Sequence, residues 1–101
     1  MSETELAWAA GFFDGEGCTR HRLDTGGLTI SINQVDKYAL LRFKKITKLG
    51  NVLGPYGPST STSKTYYSYE THGNKARKVI KLLWPWLGPV KRKQAKKAGA
   101  I

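Results

Sequence analysis

The spacing of apolar positions changes along this chain, and each change marks an element. Leu6, Ala9, Ala10 and Phe13 recur at helical spacing, and Ser2 followed by Glu5 has the form of a capping box, so a first helix is expected from about Glu3 to Phe13. Trp8, Gly11, Phe12 and Gly15 leave this helix almost no polar side, as in a helix buried on more than one face. Glycines spaced like Gly11 and Gly15 weaken an isolated helix, yet they let two backbones approach closely where helices cross.

After Gly17 the period becomes two. Cys18–Leu23 and Leu28–Gln34 read as strands joined by a turn at Asp24–Gly27, with Leu28, Ile30 and Ile32 on one face and Thr29, Ser31 and Asn33 on the other. Arg20 and Arg22 share a face of the first strand. Asp36 is placed to cap a second helix that runs to about Leu49, with Leu40, Leu41, Phe43, Ile46 and Leu49 as its apolar stripe and Gly50 as its stop. Asn51–Leu53 is a short strand candidate, and Gly54–Ser63 reads as a loop. Thr65–Thr71 reads as a strand whose tyrosines point to both faces. Asn74–Trp84 is a third helix ended by Pro85, with Trp86 and Leu87 continuing the core, and a short final helix follows Pro89. The order helix, hairpin, helix, hairpin, helix predicts an α+β fold with an antiparallel sheet.

Length and charge narrow the use of this surface. A chain of 101 residues fits a single domain with a modest core, of the kind a partner subunit often completes. Its 17 Lys and Arg against 7 Asp and Glu give a net charge of +10, which points to an anionic partner. Nucleic acid is expected rather than a membrane, because no apolar run is long enough to span a bilayer and no cleavable signal segment is legible. Cys18 is a lone cysteine without a zinc-like spacing around it, so a reducing, intracellular home is expected, cytoplasm or nucleoid, with an organelle also open. Arg20 and Arg22 beside Thr29, Ser31 and Asn33 suit contact with phosphates and base edges, and Tyr67 and Tyr69 are expected to join them as DNA contacts. Most lysines of the tail after Pro89 read as solvated charge or loose phosphate contacts.

The string Ala9-Ala10-Gly11-Phe12-Phe13-Asp14-Gly15-Glu16-Gly17 resembles the motif that names the LAGLIDADG homing endonucleases. Ala9 replaces the leading Leu, Phe12 and Phe13 the Leu-Ile pair, and Asp14-Gly15-Glu16-Gly17 the acidic ending, with helix packing and acidity retained. The resemblance extends over nearly the whole chain and implies a single LAGLIDADG-like αββαββα domain over residues 1–101, completed by homodimerisation, since single-motif members pair through crossed motif helices. It implies a dimer interface at Trp8, Gly11, Phe12 and Gly15. Two Glu16 carboxylates brought together at a two-fold axis would repel unless divalent metal neutralised them, so Glu16 is the implied Mg2+ ligand.

The same resemblance assigns Gln34, at the end of the second strand, as a polar active-site residue that orients water. Lys91, in the Lys91-Arg92-Lys93-Gln94-Ala95 segment after Pro85-Trp86-Leu87, takes the place of the catalytic lysine. Asp14 is assigned to helix-end structure. Tyr38 stands where a basic residue is expected on the second helix, with Lys37 and Arg42 as the cations nearby. The implied function is sequence-specific, Mg2+-dependent hydrolysis of phosphodiester bonds in double-stranded DNA at a palindromic or near-palindromic site, with the outward side chains of the sheet in the major groove. The main alternative is a catalytically inactive, sequence-specific DNA-binding protein or regulator; binding of structured RNA and a purely structural role rank below it.

Overall fold

The computed structural model describes residues 2–22, 27–57 and 64–100, and of Arg22 the backbone alone. The chain runs α1 (Glu3–Glu16), β1 (Gly17–Arg22), β2 (Gly27–Gln34), α2 (Lys37–Thr47), β3 (Asn51–Tyr56), β4 (Tyr66–His72), α3 (Gly73–Leu83), a 3-10 turn (Trp84–Trp86) and α4 (Pro89–Ala98). The strands form one antiparallel sheet in the order β1-β2-β4-β3. Of the turn expected at Asp24–Gly27, Gly27 belongs to β2 and the rest, like most of the loop expected at Gly54–Ser63, lies outside the described residues. Gly54, Pro55 and Tyr56 belong to β3, which is longer than expected and changes register between Leu53 and Tyr56.

α1 and α2 begin at local side-chain caps. Ser2 and Glu5 form the capping box, in which the Ser2 hydroxyl accepts from the Glu5 N–H at 3.1 Å and Glu5 returns a bond to the Ser2 N–H. These bonds, the one to the Ser2 backbone first, hold the Glu5 carboxyl below its ordinary pKa. α1 then continues one turn past Phe13, to Glu16, so the acidic end of the motif is helical. Asp36 caps α2 by accepting from the Tyr38 N–H at 2.9 Å. That helix stops at Thr47, short of Leu49, because Lys48 turns left-handed (φ 60°). Gly50 follows at φ +92°, with the Tyr69 ring only 2.6 Å from where a Cβ would stand, so both conformation and space demand glycine there.

The core lies between one sheet face and the helices. Ile30 and Ile32 of β2 and Tyr69 of β4 pack beneath Ala9, Ala10 and Phe13 of α1, Leu40, Phe43 and Ile46 of α2, and Ala76, Val79, Ile80 and Leu83 of α3. Phe43 is its hub: the Phe13 ring stacks at 6.2 Å, and Tyr69 meets it edge-on at 4.8 Å. Gly17 opens β1 directly against the Phe13 ring, with no room for a side chain. Leu87 is buried, as expected, but Trp86 is exposed, and Leu41 points outward while Leu40 and Phe43 point in. No helix among the described residues is long and apolar enough to cross a membrane.

Strand register divides the side chains between two faces. On β2, Ile30 stands opposite Thr71 and Ile32 opposite Tyr69, which puts Thr71 and Tyr69 on the helix side. Thr29 stands opposite Arg20 on one side and His72 on the other, and Ser31 stands opposite Cys18 and Glu70. Those residues, with Asn33, Ser68 and Asn51, form the open face.

Candidate nucleic-acid interface and catalytic cluster

The open face is built by alternation along its strands, and it carries most but not all of the residues the sequence suggested. Arg20, Thr29, Ser31 and Asn33 stand on it. The backbone of Arg22 has the same parity as Arg20, while its side chain lies outside the described residues. Arg20 and Asn33 are exposed and Ser31 half-buried. Thr29 is only 2% exposed, and its hydroxyl is 3.0 Å from Nδ1 of His72, so it anchors a neighbour rather than offering a free group.

Tyr69 and Tyr67 correct the expectation. Tyr69 is fully buried, its ring packs on Phe43, and its hydroxyl donates to the Leu49 carbonyl at 2.6 Å. Burial pushes its pKa up to about 12. Tyr67 shares its parity, stands opposite Gln34, and carries the Lys37 ammonium 5.3 Å above its ring. Neither ring belongs to the open face. The aromatic residue of β4 with open-face parity is Tyr66, paired with Tyr56; the rings lie 5.3 Å apart and both are exposed. Strand alternation anchored on a single buried tyrosine would have found Tyr66, Ser68, Glu70 and His72, which sequence reasoning missed.

Strand register places Glu16 and Gln34 at the same end of the sheet. Glu16 is the exposed last residue of α1 and immediately precedes Gly17, which pairs with Ile32. Gln34 lies two residues beyond Ile32, about 7 Å at the rise of a strand. It is half-buried, and its side-chain oxygen accepts from the Val35 N–H at 2.9 Å. Asp14 reaches across the chain: its Oδ1 accepts from the Gly88 N–H at 3.0 Å, where Gly88 is the N-cap of α4. A carboxylate at a helix N-terminus is favoured by the helix dipole, and here it fastens the first turn of α4 beside the last turn of α1. Lys91, half-buried, rides on that first turn.

The neighbouring cations are already engaged. The Arg92 guanidinium donates to the Trp84 carbonyl at 2.8 Å and lies 5.1 Å over the Trp84 ring, which ties α4 to the preceding turn. Arg42 lies 4.0 Å over the Trp8 ring. Lys37, over Tyr67, is thereby close to the Gln34 rung.

α1 presents a bare stripe. Ala7, Gly11 and Gly15 follow one another at four-residue spacing and are exposed, and a Cβ at Gly11 or Gly15 would meet nothing within 4 Å. The rings of Trp8 and Phe12 stack at 5.2 Å, Phe12 packs on Phe43 at 6.1 Å, and both stay half-buried within their own chain. They flank the bare stripe on its α2 side.

Among the described residues no three His, Cys, Asp or Glu side chains gather into a metal cage. A hard cation such as Mg2+ needs less from the protein, often one or two carboxylates with phosphate and water completing its shell. Glu16, an exposed oxygen ligand at a helix end, fits that donor set.

No protein-family model matches the sequence, and no curated protein matches it. Solved structures do. A complex of the homing endonuclease I-CvuI with its target, in the presence of calcium, is 25% identical with a TM-score of 0.70, over 92% of this chain and 62% of that one. The LAGLIDADG meganuclease I-AabMI bound to uncleaved DNA is 26% identical with a TM-score of 0.68, over 86% of this chain and 31% of that one. The archaeal intron-encoded homing endonuclease I-Vdi141I, in complex with DNA, shares the fold at 19% identity with a TM-score of 0.62. The chain thus spans 62% of the length of I-CvuI and 31% of that of I-AabMI. In architecture it is a structural homologue of LAGLIDADG homing endonucleases, alike over most of its length at moderate sequence identity.

Proposed function

We propose that the protein is a homodimeric, sequence-specific endonuclease that hydrolyses double-stranded DNA with Mg2+. The observation that carries this reading is the arrangement of α1: a bare Ala7, Gly11, Gly15 stripe leads to the exposed carboxylate of Glu16, and the Asp14–Gly88 bond holds the helix of Lys91 alongside. A second copy of the stripe gives the small residues their use, since two helices can cross closely only where side chains are absent. The crossing brings Glu16 of each subunit to the same end of the axis. The likeness to I-CvuI with its target and to I-AabMI bound to DNA supports duplex DNA as the ligand.

Glu16 would hold the cation, which when bound neutralises the scissile phosphate and makes water acidic enough to attack. Gln34 turns its amide toward the solvent that serves as nucleophile, once its bond to Val35 opens. Lys91 supplies positive charge where the phosphate gains negative charge in the transition state. Arg20, Ser31 and Asn33 read and position the duplex from the open face, with Arg22 of the same parity. A two-fold dimer presents that face twice, so the site is palindromic or nearly so, and each subunit cuts one strand.

The alternative is a protein of the same fold that binds duplex DNA without cutting it. The discriminating experiment is single-turnover cleavage of a selected duplex by wild type and Glu16→Gln. We expect the variant to keep its fold and bind the duplex but lose Mg2+-dependent cutting; equal cutting by both removes Glu16 from the chemistry, and no cutting by the wild type favours the binding-only protein.

A further inference from the structure

We propose that Glu70 is a specificity-determining residue, selecting a base that carries an exocyclic amino group, cytosine before adenine, at one position of each half-site. This rests on the DNA-reading function proposed above. Glu70 stands on β4 opposite Ser31 of β2 and Asn51 of β3, in the middle of the open face, with its side chain 36% exposed. It is the single carboxylate on the strands among the described residues. A negative charge there works against phosphate affinity, so its use lies in what a carboxylate alone selects.

A carboxylate only accepts hydrogen bonds. In the major groove guanine and thymine turn the acceptors O6 and O4 toward it, and both are repelled. Cytosine offers its N4 amino group, and adenine its N6 amino group. Adenine also sets its N7 acceptor beside that donor, which opposes the second carboxylate oxygen, so cytosine is preferred.

The surroundings of Glu70 are built to hold it. Nε2 of His72 is 3.8 Å from its Oε2, an ion pair when the imidazole is protonated. The other ring nitrogen meets the buried hydroxyl of Thr29 at 3.0 Å, which anchors one edge of the imidazole and turns the other toward the carboxylate. Glu70 and His72, with Asn51, Asn74 and Lys75, line an open concavity of about 440 Å³ at the β4–α3 junction. Lys75 there offers the positive charge for the phosphate that flanks a base seated against Glu70.

The test is a binding selection from a randomised duplex library without divalent metal, run on wild type, Glu70→Gln and Glu70→Asp. For wild type we expect a position at which cytosine exceeds guanine and thymine about tenfold or more. Glu70→Gln should move that position toward adenine, whose N6 and N7 match an amide, with the other positions unchanged. Glu70→Asp keeps the charge and shortens the reach, and should weaken the cytosine preference without changing the salt dependence of binding. A Gln profile identical to wild type, or uniformly tighter binding to every sequence, reduces Glu70 to a surface charge and overturns the inference alone. A wild-type protein that enriches no sequence overturns the DNA-reading function together with it.

Discussion

Replacing Tyr69 by Phe separates a core tyrosine from a DNA contact and does so with a signature in pH. The hydroxyl donates to the Leu49 carbonyl at 2.6 Å and lies 3.5 Å from the Thr47 hydroxyl, inside the turn that ends α2. Its loss leaves that carbonyl without its partner and should cost about 1–2 kcal/mol of stability at neutral pH. The hydroxyl also titrates late, at about 12 rather than 10, because the buried ring resists becoming an anion. In the unfolded chain the proton leaves near pH 10, so between the two values the unfolded state binds fewer protons and is favoured as pH rises. The contribution is therefore whole below pH 10 and lost by pH 12, about 3 kcal/mol for a shift of this size. Tyr69→Phe escapes that loss. Urea denaturation of both proteins from pH 8 to 12 should show the wild type more stable at first, the gap closing above pH 10 and then reversing; other tyrosines and the lysines titrate in both and cancel in the difference. Duplex binding near pH 8 should be equal once both are folded. A gap that stays constant to pH 12, or a loss of DNA affinity with no loss of stability, would refute the burial of this side chain.

Other substitutions test the remaining parts. Gly17→Ala drives a methyl into the Phe13 ring and should cost about 1–3 kcal/mol by thermal or urea unfolding; unchanged stability would mean that β1 does not start against that ring. Gly11→Ala meets open space on a helix, so at concentrations where the chain is monomeric it should gain roughly 0.5–1 kcal/mol. Gly11→Leu should dissolve the proposed dimer in analytical ultracentrifugation, and an unchanged dimer would refute the crossing of α1 helices. Lys91→Met should slow single-turnover cleavage far more than it weakens binding of the site; equal rates would remove Lys91 from the chemistry.

The element order was legible because each element carries its own period and punctuation: the Ser2–Glu5 box, the Asp36 cap, and the β2 alternation of Leu28, Ile30 and Ile32. Element ends were less so. α2 ends at Thr47 with Lys48 left-handed, and Tyr69, twenty residues beyond Leu49, fills the space beside Gly50 and binds the Leu49 carbonyl, a contact no local pattern announces. The β4 tyrosines were misread for a related reason. Tyr66, Tyr67 and Tyr69 are equally fit for a strand, and only the pairing of β4 with β2 decides which rings meet the core. Trp8 and Phe12 lean on Arg42 and Phe43 of α2 while staying half-buried, beside the bare Ala7, Gly11, Gly15 stripe. The Asp14–Gly88 bond joins residues seventy-four apart, so the assignment of Asp14 to helix-end structure was right in kind, while no local pattern tied it to α4, the helix expected after Pro89.

Exposing wild type and Glu16→Gln to a randomised duplex-DNA library with Mg2+, and sequencing the cut ends of both strands, decides whether the protein is a paired nuclease that depends on Glu16. We expect paired cuts, one on each strand, placed symmetrically about a two-fold centre, present for the wild type and absent for the variant. Enrichment of intact duplexes with no cuts, or cuts that persist in Glu16→Gln, would contradict it.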